Sequence, residues 1–177
     1  AQTTTRQLVE QVETLANDAG VHAILVQHPI PASIDKRAAF EAIPIVNDVD
    51  GVSSAALGRV IVGLPAFPSC TPAGILRLLT EHQVPLAGAH AVVVGRSPIL
   101  GRPMASMLIN AHATVTLCHS RTTNLPDLLL QADLVIAAVG KPRFIQGRWI
   151  QPGAVVIDAG YNEGSIGDVD FEPAAKR

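Results

Sequence analysis

Four short and almost uninterrupted apolar segments in the second half of the sequence constrain the fold most. They are AVVVG (91–95), TVTLC (114–118), LVIAAV (134–139) and AVVIDAG (154–160). Segments long enough for helices separate them, and strands that are apolar on both faces are typical of a parallel sheet covered by helices on both sides. The part of the chain after about residue 70 is therefore predicted to be a doubly wound α/β domain.

The residues before this domain predict part of a second α/β unit. A helix is expected over Thr4–Asp18, where a threonine cluster precedes an amphipathic segment, and HAILVQ (22–27) is expected to be a buried strand. A brief helical or turn piece is predicted near Ala55–Val60. The helix TPAGILRLLTEH (71–82) opens the second unit, because Thr71 stands at a cap position and a proline follows it.

Composition narrows the function classes. The chain has 177 residues, 48% hydrophobic content, 16% charged residues and a net charge of −2, as in an ordinary soluble globular protein. Aromatic residues make up 3% and no basic run occurs, so no nucleic-acid partner is expected. The apolar runs are too short for a membrane span. Cys70 and Cys118 form no C-x-x-C motif, which indicates reduced thiols in a cytoplasmic protein, and the scattered histidines predict no metal site.

The stretch AVVVGRSPILGRP (91–103) places an arginine and a serine directly after the first apolar segment. Gly95 would permit a sharp strand-to-helix turn, and Gly101 would let the backbone approach a cofactor. The helix that follows is expected to present free N–H groups to an anion. The spacing Gly-x5-Gly differs from G-x-G-x-x-G, so the glycines alone leave a plain helix-capping turn as an alternative.

The end of the second apolar segment bears on the choice of nucleotide. Folds that bind NAD place a carboxylate there, which accepts the ribose 2′-hydroxyl. Here the residues are CHSR (118–121), without an acid. Ser120 and Arg121, with Arg96 from the first turn, suit a 2′-phosphate, so the predicted cofactor is NADP. The alternative is that both arginines are solvated surface charges.

Seven motifs together resemble one known family. In chain order they are LVQHPIP, NDVDG, SCTPAG, VVVGRSPILGRPMA, ATVTLCHSRT, AVGKP and GAVVIDAG. They resemble the bifunctional methylene-tetrahydrofolate dehydrogenase/cyclohydrolase family, and the match covers nearly the whole chain. The resemblance implies a folate-binding domain over 1–69, incomplete at its N-terminus. It also implies a Rossmann-type NADP domain over 70–177, which ends before the closing C-terminal segment.

The resemblance also implies an activity. Members of the family oxidise methylene-tetrahydrofolate to methenyl-tetrahydrofolate with NADP and then hydrolyse it to the formyl form, usually as homodimers. The family's glutamine that tunes a catalytic lysine falls on Gln27, and its aspartate that holds the pterin ring falls on Asp50. Nucleotide-binding positions fall on Arg96, Ser97 and Ser120, with Thr71 and Gly95 lining the loop.

The sequence departs from the family pattern in several places. The lysine of the family's Y-x3-K motif has no counterpart here, and the C-terminal PGGVGPMT loop is also missing; we expect truncation at both ends rather than loss. Ala56 replaces the usual asparagine, Ser53 and Ser54 replace a His-Pro pair, and His28 replaces a leucine. These changes are expected to alter the wall of the folate site while leaving Asp50 intact.

Other interpretations of the same residues remain open. Gln27 could be a polar strand end, and Asp50 could belong to a simple Asp-Gly turn. A nucleotide-binding relative that has lost catalysis and serves as a binding or regulatory module would share most of these motifs. A dehydrogenase of the shikimate type would share the nucleotide domain but lack the DVDG and VQ-x-P motifs.

Overall fold

The chain folds as two units, one ending at Cys70 and the other covering Thr71–Arg177. The computed structural model describes residues 3–177. Among these residues, no helix is both long enough and apolar enough to cross a bilayer.

Three helices belong to the first unit: α1 (Thr5–Ala16), α2 (Lys36–Glu41) and α3 (Ser54–Ile61). The predicted start of α1 is confirmed, because Thr4 and Gln7 form a reciprocal capping box. The Thr4 hydroxyl accepts from the Gln7 N–H at 3.3 Å, and the Gln7 amide oxygen accepts from the Thr4 N–H at 2.9 Å. The side chains of Asp35 and Ser53 also accept from backbone N–H groups in the first turns of α2 and α3, respectively.

The strand predicted over 22–27 is wrong in its extent. The segment is extended, but its only ladder contact among the described residues is a single parallel bridge between Ile24 and Asp48. Ile24 donates its N–H to the Asn47 carbonyl at 2.8 Å and is 5% exposed, whereas Leu25 is 53% exposed. An apolar sequence favours a strand, but a strand also needs a neighbour to pair with along its length.

The second unit is a parallel sheet with helices on both faces, so the predicted fold class is confirmed. The sheet has the order β2-β1-β3-β4, and each neighbouring pair runs parallel. In chain order the elements are α4 (Cys70–Glu81), β1 (His90–Val94), α5 (Gly101–Asn110), β2 (Thr114–Cys118), α6 (Leu125–Leu129), β3 (Leu134–Ala137), β4 (Val155–Asp158) and α7 (Phe171–Ala174). Since α4 begins at Cys70, Thr71 lies in its first turn and not at its cap.

Alternate residues of the central strands pack into two separate hydrophobic cores, one on each face of the sheet. On β1, Ala91 and Val93 pack with α4 and α5, against Leu79 and Leu108 among others. Val92 and Val94 point to the opposite face, where they meet a core that includes Leu129, Ile145 and Ile150. The central strands β1 and β3 are buried on both faces, which explains why their sequences are apolar without alternation.

Gly101→Ala is expected to destabilise the second unit by about 1–3 kcal/mol, as overpacking of a tight site does. A Cβ at this position would overlap the Gly95 carbonyl oxygen, a backbone atom of the turn that follows β1. Urea unfolding would measure the loss. The matched control is Gly74→Ala in α4, where an added Cβ meets no atom within 4 Å; there we expect a gain of about 0.5–1 kcal/mol. Equal stability of the two variants would contradict the close approach.

Candidate functional site

A cleft of about 390 Å³ opens at the carboxyl ends of β1, β2 and β3. In a doubly wound sheet, ligands bind at this edge, where the strand order reverses. The strand order places β1 at that point, between β2 and β3. The residues that line the cleft are Val94, Gly95, Arg96, Ser97, His119, Ser120, Thr122, Leu125, Ala138, Val139, Lys141 and Phe144.

The turn after β1 is held by two glycines that allow close backbone contacts. Gly95 has a φ of 124°, in a region that favours glycine, and a Cβ there would overlap the Ala138 carbonyl oxygen at the end of β3. Gly101, at the start of α5, lies equally close to the Gly95 carbonyl. The Gly-x5-Gly spacing therefore brings the end of β1, the start of α5 and the end of β3 together at the floor of the cleft.

Ser97 is the polar centre of this turn. Its hydroxyl accepts from the N–H groups of Leu100 at 3.1 Å and Gly101 at 3.4 Å, and its carbonyl accepts from the Arg102 N–H at 3.1 Å. The expectation that α5 presents free N–H groups was therefore wrong for its first turn, because Ser97 takes these donors and Pro103 has none. These three N–H groups are therefore not free to bind an anion in the cleft.

The end of β2 forms a tight turn over His119–Thr122. The His119 N–H donates to the Thr122 hydroxyl at 2.9 Å, and the Thr122 N–H donates to the His119 carbonyl at 2.8 Å. The Arg121 N–H donates to His119 Nδ1 at 3.1 Å, so in the neutral imidazole the proton lies on Nε2. Ser120 lies at the exposed tip of this turn and lines the cleft.

The end of β3 supplies the remaining wall through Val139, Lys141 and Phe144. The ammonium of Lys141 lies 5.5 Å from the centroid of the Phe144 ring, within cation–π range. Phe144 also packs edge-on against Trp149, with ring centroids 6.3 Å apart. This wall is therefore part apolar and part cationic.

The charge of the cleft is positive. Arg96 and Lys141 line it, and none of its lining residues is acidic. The three ion pairs found among residues 3–177 all lie along single helices, so neither cation is neutralised by a carboxylate. Three hydroxyl-bearing residues, Ser97, Ser120 and Thr122, stand beside these cations. Cations and hydroxyls grouped in this way suit a phosphate group.

Of the residues predicted to bind the nucleotide, the structure brings Gly95, Arg96, Ser97 and Ser120 together around the cleft. Gly101 does not line the cleft but packs against the Gly95 carbonyl, and Thr71 lies on α4 and is also absent from the lining. Arg121 is exposed and also lies outside the lining, although its position after β2 had suggested a phosphate ligand.

Sequence reasoning missed the wall that β3 contributes. The signal that could have found it is the position of AVGKP directly after a buried parallel strand, since the ends of adjacent parallel strands meet at one edge. His119 and Thr122 were missed as well, because their place in the cleft depends on the hydrogen bonds that close the turn after β2.

In the first unit, Gln27 and Asp50 lie at corresponding ends of two adjacent segments. The parallel bridge joins Ile24 to Asp48, and Gln27 and Asp50 follow it in the same chain direction by three and two residues. The Gln27 amide donates to the His28 carbonyl at 2.8 Å and its side chain is exposed. The Asp50 Oδ1 accepts from the Cys70 N–H at 3.4 Å.

The two aspartates of NDVDG have different roles. Asp48 is fully buried, and its carboxylate accepts from the N–H groups of Val52 at 3.1 Å and Ser53 at 2.9 Å, which fixes the start of α3. Asp50 is only partly buried. Its hydrogen bond raises the pKa of the Cys70 thiol, and burial and the charge of the same carboxylate act in the same direction. Asp50 is therefore the aspartate of the pair that can reach a ligand.

Neither cysteine has the surroundings of a reactive thiol. Burial raises the pKa of the Cys118 thiol, although a hydrogen bond to Thr122 opposes this shift. Across residues 3–177, no three His, Cys, Asp or Glu side chains are grouped so that they could hold a metal ion.

Two family models match the chain. The NAD(P)-binding domain of tetrahydrofolate dehydrogenase/cyclohydrolase matches residues 69–177, and the catalytic domain of the same family matches residues 1–50. The chain is similar to bifunctional protein FolD of Shouchella clausii (strain KSM-K16), with 56% identity over 99% of this chain and 63% of that protein. It thus spans less than two thirds of the length of that relative.

Solved structures agree with these matches. The bifunctional enzyme FolD from Campylobacter jejuni superimposes with a TM-score of 0.95 and 41% identity, over 99% of this chain and 64% of that one. The FolD of Trypanosoma brucei, solved with NADP cofactor and an inhibitor, gives a TM-score of 0.92 and 34% identity over 99% and 64%. With a family model covering more than half of its length, the chain belongs to the tetrahydrofolate dehydrogenase/cyclohydrolase family.

Proposed function

We propose that this chain carries the nucleotide-binding part and a portion of the folate-binding part of a bifunctional enzyme. Its reactions are the NADP-dependent oxidation of methylene-tetrahydrofolate to methenyl-tetrahydrofolate and the hydrolysis of that product to formyl-tetrahydrofolate. Residues 1–69 are assigned to the folate domain and residues 70–177 to the NADP domain. The similarity to bifunctional FolD proteins supports this assignment and gives no support to a non-catalytic module.

The observation that carries the proposal is that Arg96 and Ser120 line one cleft, at the ends of the neighbouring strands β1 and β2. A ribose that sits over these strand ends would meet a guanidinium and a hydroxyl where NAD-binding folds place a carboxylate. A carboxylate would repel a 2′-phosphate, whereas this pair attracts it. The cleft therefore fits NADP better than NAD.

The remaining cleft residues fit the rest of the dinucleotide. Gly95 lets the backbone lie close to the pyrophosphate, because it has no side chain above the strand end. Leu125, Val139 and Phe144 offer apolar surface to a planar ring. When bound, NADP supplies the acceptor for the hydride that leaves the methylene carbon.

On the folate side, Asp50 is proposed to orient the pterin. An aminopyrimidine ring presents adjacent N–H donors, and a carboxylate can accept two of them side by side. The hydrolytic step needs a group that moves a proton during water attack and C–N cleavage. None of the three lysines of this sequence, Lys36, Lys141 and Lys176, lies in a Y-x3-K motif, so the hydrolytic step rests on the resemblance to the bifunctional relatives.

We also propose a homodimer in the cytoplasm that serves one-carbon metabolism and purine biosynthesis. The two cysteines are free thiols, which suits a reducing compartment. The strand β2 lies at an edge of the sheet, where Leu117 is 36% exposed. On α5, the helix that contacts β2, Ile109 is 57% exposed. An open strand edge with apolar side chains on and near it favours association with a second copy.

Arg96→Ala is expected to weaken NADP binding by about 1–3 kcal/mol, or about 5- to 150-fold, through loss of a charge-assisted contact. NAD binding should change little, because NAD lacks the 2′-phosphate. Isothermal titration with both nucleotides measures the two constants. Arg121→Ala is the matched control, since this exposed arginine lies outside the cleft. Equal losses for NADP and NAD in the Arg96 variant would rule out a 2′-phosphate contact.

Asp50→Asn is expected to lower kcat/KM for methylene-tetrahydrofolate by about 10- to 100-fold, because an amide replaces one of two acceptors with a donor. The absorbance gain of the methenyl product, measured on the full-length protein, gives this constant. The affinity for NADP should stay unchanged. Glu13→Gln, an exposed carboxylate on α1, is the control. Full activity of the Asp50 variant would remove this residue from the folate site.

Leu117→Lys is expected to shift the protein from dimer to monomer in analytical ultracentrifugation, since it places a charge on the open strand edge. Leu130→Lys, at a site that is 41% exposed beyond the end of α6, is the control and should leave the dimer intact. A monomeric wild type at micromolar concentration would defeat the dimer proposal.

A further inference from the structure

Asp168 is a fully buried carboxylate that does not itself line the cleft. Its Oδ2 accepts from the N–H groups of Val139 at 2.6 Å and Gly140 at 2.9 Å, and its Oδ1 accepts from the Lys141 N–H at 2.8 Å. A fourth donor, the Asn162 side-chain amide, reaches Oδ1 at 3.1 Å. Four hydrogen bonds satisfy the buried charge and join two segments that are about 28 residues apart in the chain.

The three backbone donors form a nest. Successive N–H groups that converge on one point create a concavity for an anion, and proteins commonly use such turns to bind phosphate. Gly140 has a φ of 65°, which lets the chain curl so that all three N–H groups point the same way. Here the anion is internal, because the Asp168 carboxylate occupies the nest from behind.

A second carboxylate holds Asp168 in place. Asp158, the last residue of β4, accepts from the N–H groups of Asp168 and Val169, both at 2.9 Å. Glycines make room for these contacts: a Cβ at Gly160 would overlap the Asp168 carboxylate, and one at Gly167 would overlap the Asp158 carboxylate. The end of β4 therefore holds Asp168 in place independently of the Val139–Lys141 turn.

The turn that Asp168 holds is the β3 wall of the cleft. Val139 and Lys141 line the cleft, while their N–H groups point to Asp168. From these contacts we propose that Asp168 is a positioning residue for nucleotide binding, which fixes the Val139–Lys141 turn against the bound dinucleotide. The inference rests on the nucleotide-binding function proposed above and adds a buried residue that does not itself line the cleft.

Asp168 and Arg96 are expected to affect nucleotide selectivity differently. The wall at the end of β3 does not belong to the Arg96–Ser120 pair, so its displacement affects the part of the dinucleotide that NADP and NAD share. Loss of Asp168 should therefore weaken both nucleotides by the same factor. Loss of Arg96 should change the ratio between them.

The test compares Asp168→Asn with Asp170→Asn in the full-length protein. The amide introduced at position 168 would turn an NH₂ group toward one or more of the N–H donors, whereas the Asp170 side chain makes no capping hydrogen bond to α7. We expect Asp168→Asn to weaken NADP and NAD about tenfold each, the effect of one lost charge-assisted hydrogen bond. Asp170→Asn should leave both affinities unchanged.

Amide hydrogen exchange by NMR separates positioning from general stability. In Asp168→Asn, the amides of Val139, Gly140 and Lys141 should exchange faster, while those of Val135 and Ile136 in β3 keep their protection. Faster exchange throughout β3, or unchanged nucleotide affinity with a loosened turn, would overturn the proposal. If Asp168→Asn does not fold, Asn162→Ala removes one donor to the same carboxylate and should give a smaller effect in the same direction.

The two proposals fail in different ways. If the wild type binds neither nucleotide, the proposed function fails, and the exchange of the three turn amides alone decides whether Asp168 fixes the turn. If the wild type binds NADP tightly and Asp168→Asn matches it, the proposed function stands and the positioning role is rejected.

Discussion

The close approach of backbone to backbone at Gly95 is the constraint on which the nucleotide cleft depends. At this point the end of β1 lies against the Ala138 carbonyl at the end of β3, and the start of α5 lies against the Gly95 carbonyl. No side chain fits in either gap. Because three elements meet without side chains between them, the residues beyond them, Arg96 on one side and Val139 on the other, face the same space.

In the second unit, positively charged side chains line the cleft, whereas two carboxylates lie behind its β3 wall. Toward the cleft lie cations and hydroxyls, with Arg96 and Lys141 unpaired by any carboxylate of the described residues. Behind the β3 wall lie two carboxylates, Asp158 and Asp168, whose partners are mainly backbone N–H groups. The acids are thus used for architecture and the cations are left for a ligand. This separation keeps negative charge from a site that would take a phosphate.

The sequence correctly predicted those features that depend on residues close to one another in the chain. The apolar runs predicted all four strands of the sheet, and the missing acid after β2 indicated that Arg96 and Ser120 belong together. It failed where the outcome depends on distant partners. The segment 22–27 has a strand sequence but pairs only at Ile24, and the amides of α5 that a ligand could have used are taken by Ser97. The hydrogen bonds from the turn after β3 to Asp168 join two segments that are distant in the sequence, and no motif or residue spacing predicts that contact.

The crowding around Gly95 and Gly101 has a consequence for how this cleft can change. A side chain at either glycine would push apart β1, β3 and α5, whose relative positions the sheet fixes. Few substitutions are therefore tolerated at these two positions. The turn after β2 is different, since Ser120 and Arg121 are exposed and closure of that turn depends on His119 and Thr122. A switch in nucleotide preference would therefore be acquired most readily at residue 120, by exchange of one side chain on a backbone that need not move.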